Sequence, residues 1–123
     1  MFKILLATLA FSLISSAAMA STAGCDGVIN GKKFSFVARG SMKNKNDGIG
    51  FVKVDGREVA RFDGDAAHIS YLRRTFYIAN DRGDVVEGKL NNIINGRATL
   101  RRLSIPGHGI KVTNAPVECW IRN

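Results

Sequence analysis

The stretch NGKKFSFVAR, residues 30–39, is a tight-turn dipeptide followed by strict alternation. Phe34, Phe36 and Ala38 fall on one face, and Lys33, Ser35, Val37 and Arg39 on the other. A period of two is the pattern of a half-buried strand, and Asn-Gly tolerates the positive φ that the tightest hairpins need. Working outward, Asp55-Gly56 divides residues 50–54 from 57–62 as a hairpin. Residues 68–72 and 75–79 make another, with Arg73-Arg74 at its tip or bend. Turn clusters at residues 80–83, Asn95-Gly96 and residues 106–109 then separate strands at 85–90, 97–105, 110–113 and 117–122. Residues 41–47 (SMKNKND) form the most polar link. Nothing beyond the first twenty residues keeps helical apolar spacing over three turns. Turn signals this frequent predict an all-β chain, a small antiparallel barrel or sandwich of about eight strands.

One strand carries an irregularity. In residues 97–105, Ala98 and Leu100 share one parity while Leu103 and Ile105 share the other. A one-residue slip would turn every later side chain to the wrong face unless a β-bulge absorbs it. A bulge is therefore predicted at Arg101-Arg102, with at least one arginine aimed outward.

The chain opens MFKILLATLAFSLISSAAMA, a basic start, an apolar run and a small-x-small site at Ala18-Met19-Ala20. These are the parts of a secretory signal peptide, and the apolar run is shorter than the roughly 20 residues that cross a bilayer. The expected mature chain is residues 21–123, one all-β domain located in the periplasm or outside the cell. Its two cysteines, Cys25 and Cys119, are expected to form a disulfide joining the first strand to the last. Such a bridge closes nearly the whole domain and is worth about 4–5 kcal/mol in the chain-entropy model. The rival reading is a lipoprotein acylated on Cys25; Thr22 stands where such signals favour leucine, and Cys119 would be left as an odd thiol.

Catalytic and metal chemistry find little support. His68 and His108 with two oxidised cysteines do not supply the three or four convergent ligands of zinc, and no metal or cofactor is expected. Asp63-Gly64-Asp65 resembles the start of a calcium loop, but Ala66, Ala67 and His68 follow and the oxygen ligands run out; a solvated turn is the reading. Arg82-Gly83-Asp84 spells an adhesion tripeptide, yet Asn80-Asp81-Arg82-Gly83-Asp84 has the composition of an ordinary hairpin turn. No Gly-x-Ser-x-Gly elbow or dinucleotide fingerprint is present.

What remains is surface. The formal net charge is +8, falling to +7 when Lys3 leaves with the leader. Lys32-Lys33, Lys43, Lys45, Arg73-Arg74 and Arg101-Arg102 carry much of it, with Tyr71, Phe76 and Tyr77 interleaved. A cationic surface raises encounter rates with polyanions. In residues 117–122, Val117, Cys119 and Ile121 share the inward face, so Glu118, Trp120 and Arg122 face out, and a tryptophan beside an arginine is the composition of an interface anchor. The expectation is an exported, monomeric, non-enzymatic binding protein, an inhibitor or interaction module of the envelope with an acidic protein partner, Trp120 and Arg122 contributing the contact. The second reading is a binder of lipopolysaccharide, acidic glycan or nucleic acid through Arg73, Arg74, Arg101 and Arg102. The third is a hydrolase pairing His68 or His108 with Asp63 or Asp65.

Overall fold

The computed structural model describes residues 20–41, 46–91 and 95–123. Residues 1–19 of the leader, residues 42–45 of the polar link with Lys43 and Lys45, and residues 92–94 lie outside the described residues.

Eight strands follow one another: β1 (Ala20–Ile29), β2 (Lys32–Ser41), β3 (Gly48–Val54), β4 (Arg57–Ser70), β5 (Thr75–Ala79), β6 (Val85–Leu90), β7 (Asn95–Ile105) and β8 (Ile110–Arg122). Each pairs antiparallel with the next, and β8 returns to β1, so the sheet closes into a barrel. Of the two predicted architectures, the barrel is the one formed.

Alternation fills the interior. Phe34, Phe36 and Ala38 are all buried, as their parity requires. Phe36 on β2 stacks on Phe76 of β5 across the lumen, with ring centroids 5.5 Å apart. Eight strands leave an interior just wide enough for side chains to fill. Cys25 and Cys119 are directly opposite each other in the β1–β8 register and both face inward, Cα atoms 4.0 Å apart. Their disulfide links the first and last strands, which leaves no thiol on Cys25 for acylation.

Asn30-Gly31 (φ 53° and 77°) and Asp55-Gly56 (φ 50° and 81°) both carry two successive left-handed residues. That is the two-residue turn whose twist matches a hairpin. Asp55 fastens the two hairpins together: its Oδ1 accepts from the Lys33 amide at 2.9 Å, and its own amide donates to the Lys33 carbonyl at 2.8 Å.

Three expectations change. Asp63-Gly64-Asp65 is not a turn between strands; it is a bulge inside the 14-residue β4, where Ile49 pairs with Asp63 and Gly48 with Asp65. Gly64, at φ 70°, is the extra residue, and the Asp65 carboxylate accepts from the Asp63 amide at 2.7 Å. The bulge transfers the inward parity from Ala60 and Phe62 to Ala67 and Ile69. Asn95-Gly96 belongs to β7, where Gly96 pairs with Cys119 in the row of the disulfide. Residues 110–113 and 117–122 are one continuous β8.

The slip predicted in β7 is present. Glu87 pairs with Arg102 and Gly88 with Leu100, leaving Arg101 unmatched against β6. On the other side Leu100 pairs with Ala115 and Arg102 with Thr113, so Asn114, at φ 54°, sits opposite the bulge. The two strands change parity together and keep a common register. Arg101 and Arg102 are both exposed.

Candidate functional site

Trp120 lies outside the barrel but does not project from it. It pairs with Gly24 across the β1–β8 seam, and a methyl group at Gly24 would come within 2.5 Å of the indole Cε2 and 2.8 Å of Nε1. The ring therefore lies on bare backbone. On the ring, the Arg122 guanidinium carbon stands 4.6 Å from the centroid, within cation–π range. Backbone, indole and guanidinium form a three-layer stack.

The register extends this stack sideways. Gly24 pairs with Val37 and Val37 with Phe51, so the outward row from β8 to β3 reads Trp120, Gly24, Val37, Phe51. The next row toward the termini reads Arg122, Thr22, Arg39, Ile49, with Ile49 54% exposed. Lys53 Nζ stands 5.2 Å from the Phe51 centroid. Arg122 and Arg39 are separated by two strand spacings, about 10 Å. This wall is an apolar strip of two aromatic rings edged by Arg39, Lys53 and Arg122, none of which has an ion-pair partner among the described residues.

The two Leu-Arg-Arg steps are different devices. Arg73 and Arg74 sit in the four-residue turn between β4 and β5, at the end of the barrel that holds the termini. Leu72 at that tip is 90% exposed, and the Arg73 amide is held by Ser70 Oγ at 3.1 Å. Arg101 and Arg102 are on the wall of β7, and Arg102 Nε is 3.8 Å from Glu87 Oε1. Thr75 pairs with Lys89 and Lys89 with Thr99, which places the two arginine pairs on the same side, offset by two strands, roughly 10 Å, and by about four residues, roughly 13 Å. Neither pair adjoins Trp120.

The remaining motifs are structural. In Arg82-Gly83-Asp84 the aspartate is only 5% exposed. Its carboxylate accepts from Asn80 Nδ2 at 2.8 Å, and Asn80 Oδ1 accepts from the amides of Arg82 and Asp84 at 3.0 and 3.1 Å. The turn is tied from within and offers no free carboxylate. His68 lies on β4 opposite Tyr77, while His108 is in the 3-10 turn Pro106–His108 at the far end. Neither hydrogen bonds to Asp63 or Asp65 among the described residues. The same residues contain no cluster of three metal-ligating side chains.

A cavity that sequence reading missed lies at the end away from the termini. β1 pairs with β8 only over residues 22–26; residues 27–29 pair with β2 alone, and 110–117 with β7 alone. Pro116, which has no N–H to donate, sits where β8 parts from β1, as edge prolines do. Between the separated hairpins opens a cleft of about 820 Å³. Its floor is formed by Ile29, Val54, Val59, Ile110 and Val112, partly exposed and packed on the core. The signal available in sequence was positional: all five lie within four residues of a turn. Searches against protein-family models, curated proteins and solved structures return no match. No helix among the described residues is long and apolar enough to cross a membrane.

Proposed function

We propose that this protein is an exported, non-enzymatic binding module that engages an acidic macromolecular partner through the outer wall of β8, β1, β2 and β3. The observation that carries the reading is the Gly24–Trp120–Arg122 stack with Val37 and Phe51 in its row. A guanidinium stacked on an indole keeps its N–H edges available for carboxylate, sulfate or phosphate. A ring already fixed on backbone loses little conformational entropy when a partner settles on it. The disulfide supports an oxidising, exported setting, and the net charge of +7 left once Lys3 goes with the leader favours encounter with acidic partners.

The Arg73, Arg74, Arg101, Arg102 reading remains the alternative because these residues share a side with Lys89. A single experiment separates the two. One variant reverses Arg39, Lys53 and Arg122 to glutamate; the other reverses Arg73, Lys89 and Arg101. Both lose equal charge, and both are eluted by salt from immobilised heparin, lipopolysaccharide and single-stranded DNA, where phosphate-type binding weakens linearly in log[salt]. The wall reading expects the first variant to elute at clearly lower salt than the second. The reverse order assigns the contact to the arginine pairs, and equal elution of both variants refutes a defined face.

A further inference from the structure

The open end is a second site, independent of the outer wall. Its floor is apolar: beneath the five aliphatic residues lie Phe34 and Leu103, 3% and 1% exposed. Its rim is charged and asymmetric. Lys32, Arg57 and Lys111 stand on three different hairpins around the opening, all exposed and without an ion-pair partner among the described residues. The two rim carboxylates are already engaged. Asp55 holds the Lys33 amide, and Glu58 takes two hydrogen bonds from Arg61, at 2.6 and 3.0 Å. That carboxylate, by hydrogen bonding first and by charge second, raises the Arg61 pKa above its ordinary value. With Arg61 counted beside Glu58, four cations stand against two carboxylates, and the opening keeps a net charge of about +2.

Size and composition narrow the occupant. Small-molecule sites run to about 300–1,000 Å³, with apolar walls and a few polar groups that orient the ligand; the cleft's 820 Å³ lies inside that range. A flat polymer has no use for a recessed aliphatic floor, and an uncharged hydrocarbon has no use for three cations around its mouth. We infer that the open end binds a single-chain amphiphilic anion, its alkyl chain on Ile29, Val54, Val59, Ile110 and Val112 and its carboxylate at Lys32, Arg57 and Lys111.

The test uses the full folded protein and an anthroyloxy-labelled fatty acid whose emission rises in an apolar site, displaced by palmitate or by hexadecanol, its uncharged counterpart. Palmitate is expected to displace the probe at least ten-fold more effectively than hexadecanol. Reversing Lys32, Arg57 and Lys111 to glutamate, all exposed positions, should remove that preference without loss of thermal stability. Val112→Glu should weaken both competitors. Amide shifts on palmitate addition should concentrate at Asn30, Asp55, His108 and Gly109 and spare Gly24 and Trp120. Equal displacement by the two competitors overturns the assignment of the head group. Absence of saturable probe binding, or shifts centred on the outer wall, overturns the site itself. Because the wall variant lacking Arg39, Lys53 and Arg122 should bind palmitate normally, failure here leaves the outer-wall reading separately decidable.

Discussion

Gly24→Ala should act almost entirely through Trp120. A methyl group there cannot coexist with the indole where it now lies, so the ring must swing off the wall and release Arg122. A tryptophan buries about 150–250 Å² when fully enclosed; a third of that over Gly24 is roughly 50–80 Å², or about 1.3–2 kcal/mol at 25 cal/mol per Å². Loss of the stacked guanidinium adds about 0.5–1 kcal/mol at an exposed site. Against this, alanine in a strand gains about 0.5–1 kcal/mol over glycine. The net expectation is a loss of about 1–2.5 kcal/mol, a melting temperature lower by roughly 5–15 °C in a domain of this size. Trp120 is the single tryptophan, so its emission should shift to the red in the same variant. The decisive measurement is a double-mutant cycle by chemical denaturation. With Trp120→Ala already present, only the strand term remains, and Gly24→Ala should stabilise by about 0.5–1 kcal/mol. The substitution changes sign between backgrounds. If it has the same effect in both, within about 0.5 kcal/mol, the stack is not what requires the glycine.

Four further outcomes follow from the same geometry. Replacing Cys25 and Cys119 with serine opens a loop of 94 residues; denaturant titration should show a loss of about 4–5 kcal/mol, and a loss below about 1 would mean the unfolded chain is not what the bridge restrains. Gly88→Ala places a methyl group against the Phe76 ring tip and 3.0 Å from the Thr99 carbonyl, costing about 1–3 kcal/mol by overpacking, whereas Gly107→Ala, with nothing within 4 Å, should stay within about 0.5 kcal/mol of wild type. Asn80→Ala removes the single Oδ1 that accepts from both the Arg82 and Asp84 amides, and a donor to the buried Asp84 carboxylate, a loss of about 2–3 kcal/mol in thermal melts. The Glu87–Arg102 pair, 3.8 Å apart and half exposed, should give a coupling under about 0.5 kcal/mol that vanishes at high salt.

How far the sequence was legible depended on whether a residue pattern had one structural use or two. Alternation has one use, so Phe34, Phe36 and Ala38 share one face as read, and that face is the buried one. A parity switch also has one, and the slip at Arg101-Arg102 identified its bulge. Glycine beside aspartate or asparagine has two uses, because hairpin turns and bulges both require a left-handed residue. Asp63-Gly64-Asp65 therefore read as a turn and is a bulge, which hid the length of β4. Asn114 at φ 54° hid the continuity of β8 in the same way. Trp120 was legible as outward by parity with Cys119, but its flattening was not, since that depends on which residue of β1 lies beside it. The cleft was least legible of all: its floor is drawn from three hairpins, and its existence depends on where one pairing stops.

That stopping point also explains the placement of the covalent bond. The β1–β8 seam has five pairs, Thr22–Arg122 through Asp26–Glu118, as many as β4–β5 and β5–β6, but beyond it β1 pairs with β2 alone and β8 with β7 alone. A seam whose two strands run on past it as edges unpaired with each other is a place where a barrel can open, and exposed edges invite pairing with other chains. Cys25–Cys119 falls one step from the last pair on the side of the cleft, and Gly24–Trp120 is the next pair along. The disulfide fixes the seam from inside the lumen and the indole covers it from outside. With the seam held at that level, β8 can leave β1 beyond Pro116 without the separation spreading into the core. The end of the barrel can then stay open because the neighbouring pairs are locked, so the residues that read as a simple staple also set the boundary of the cleft.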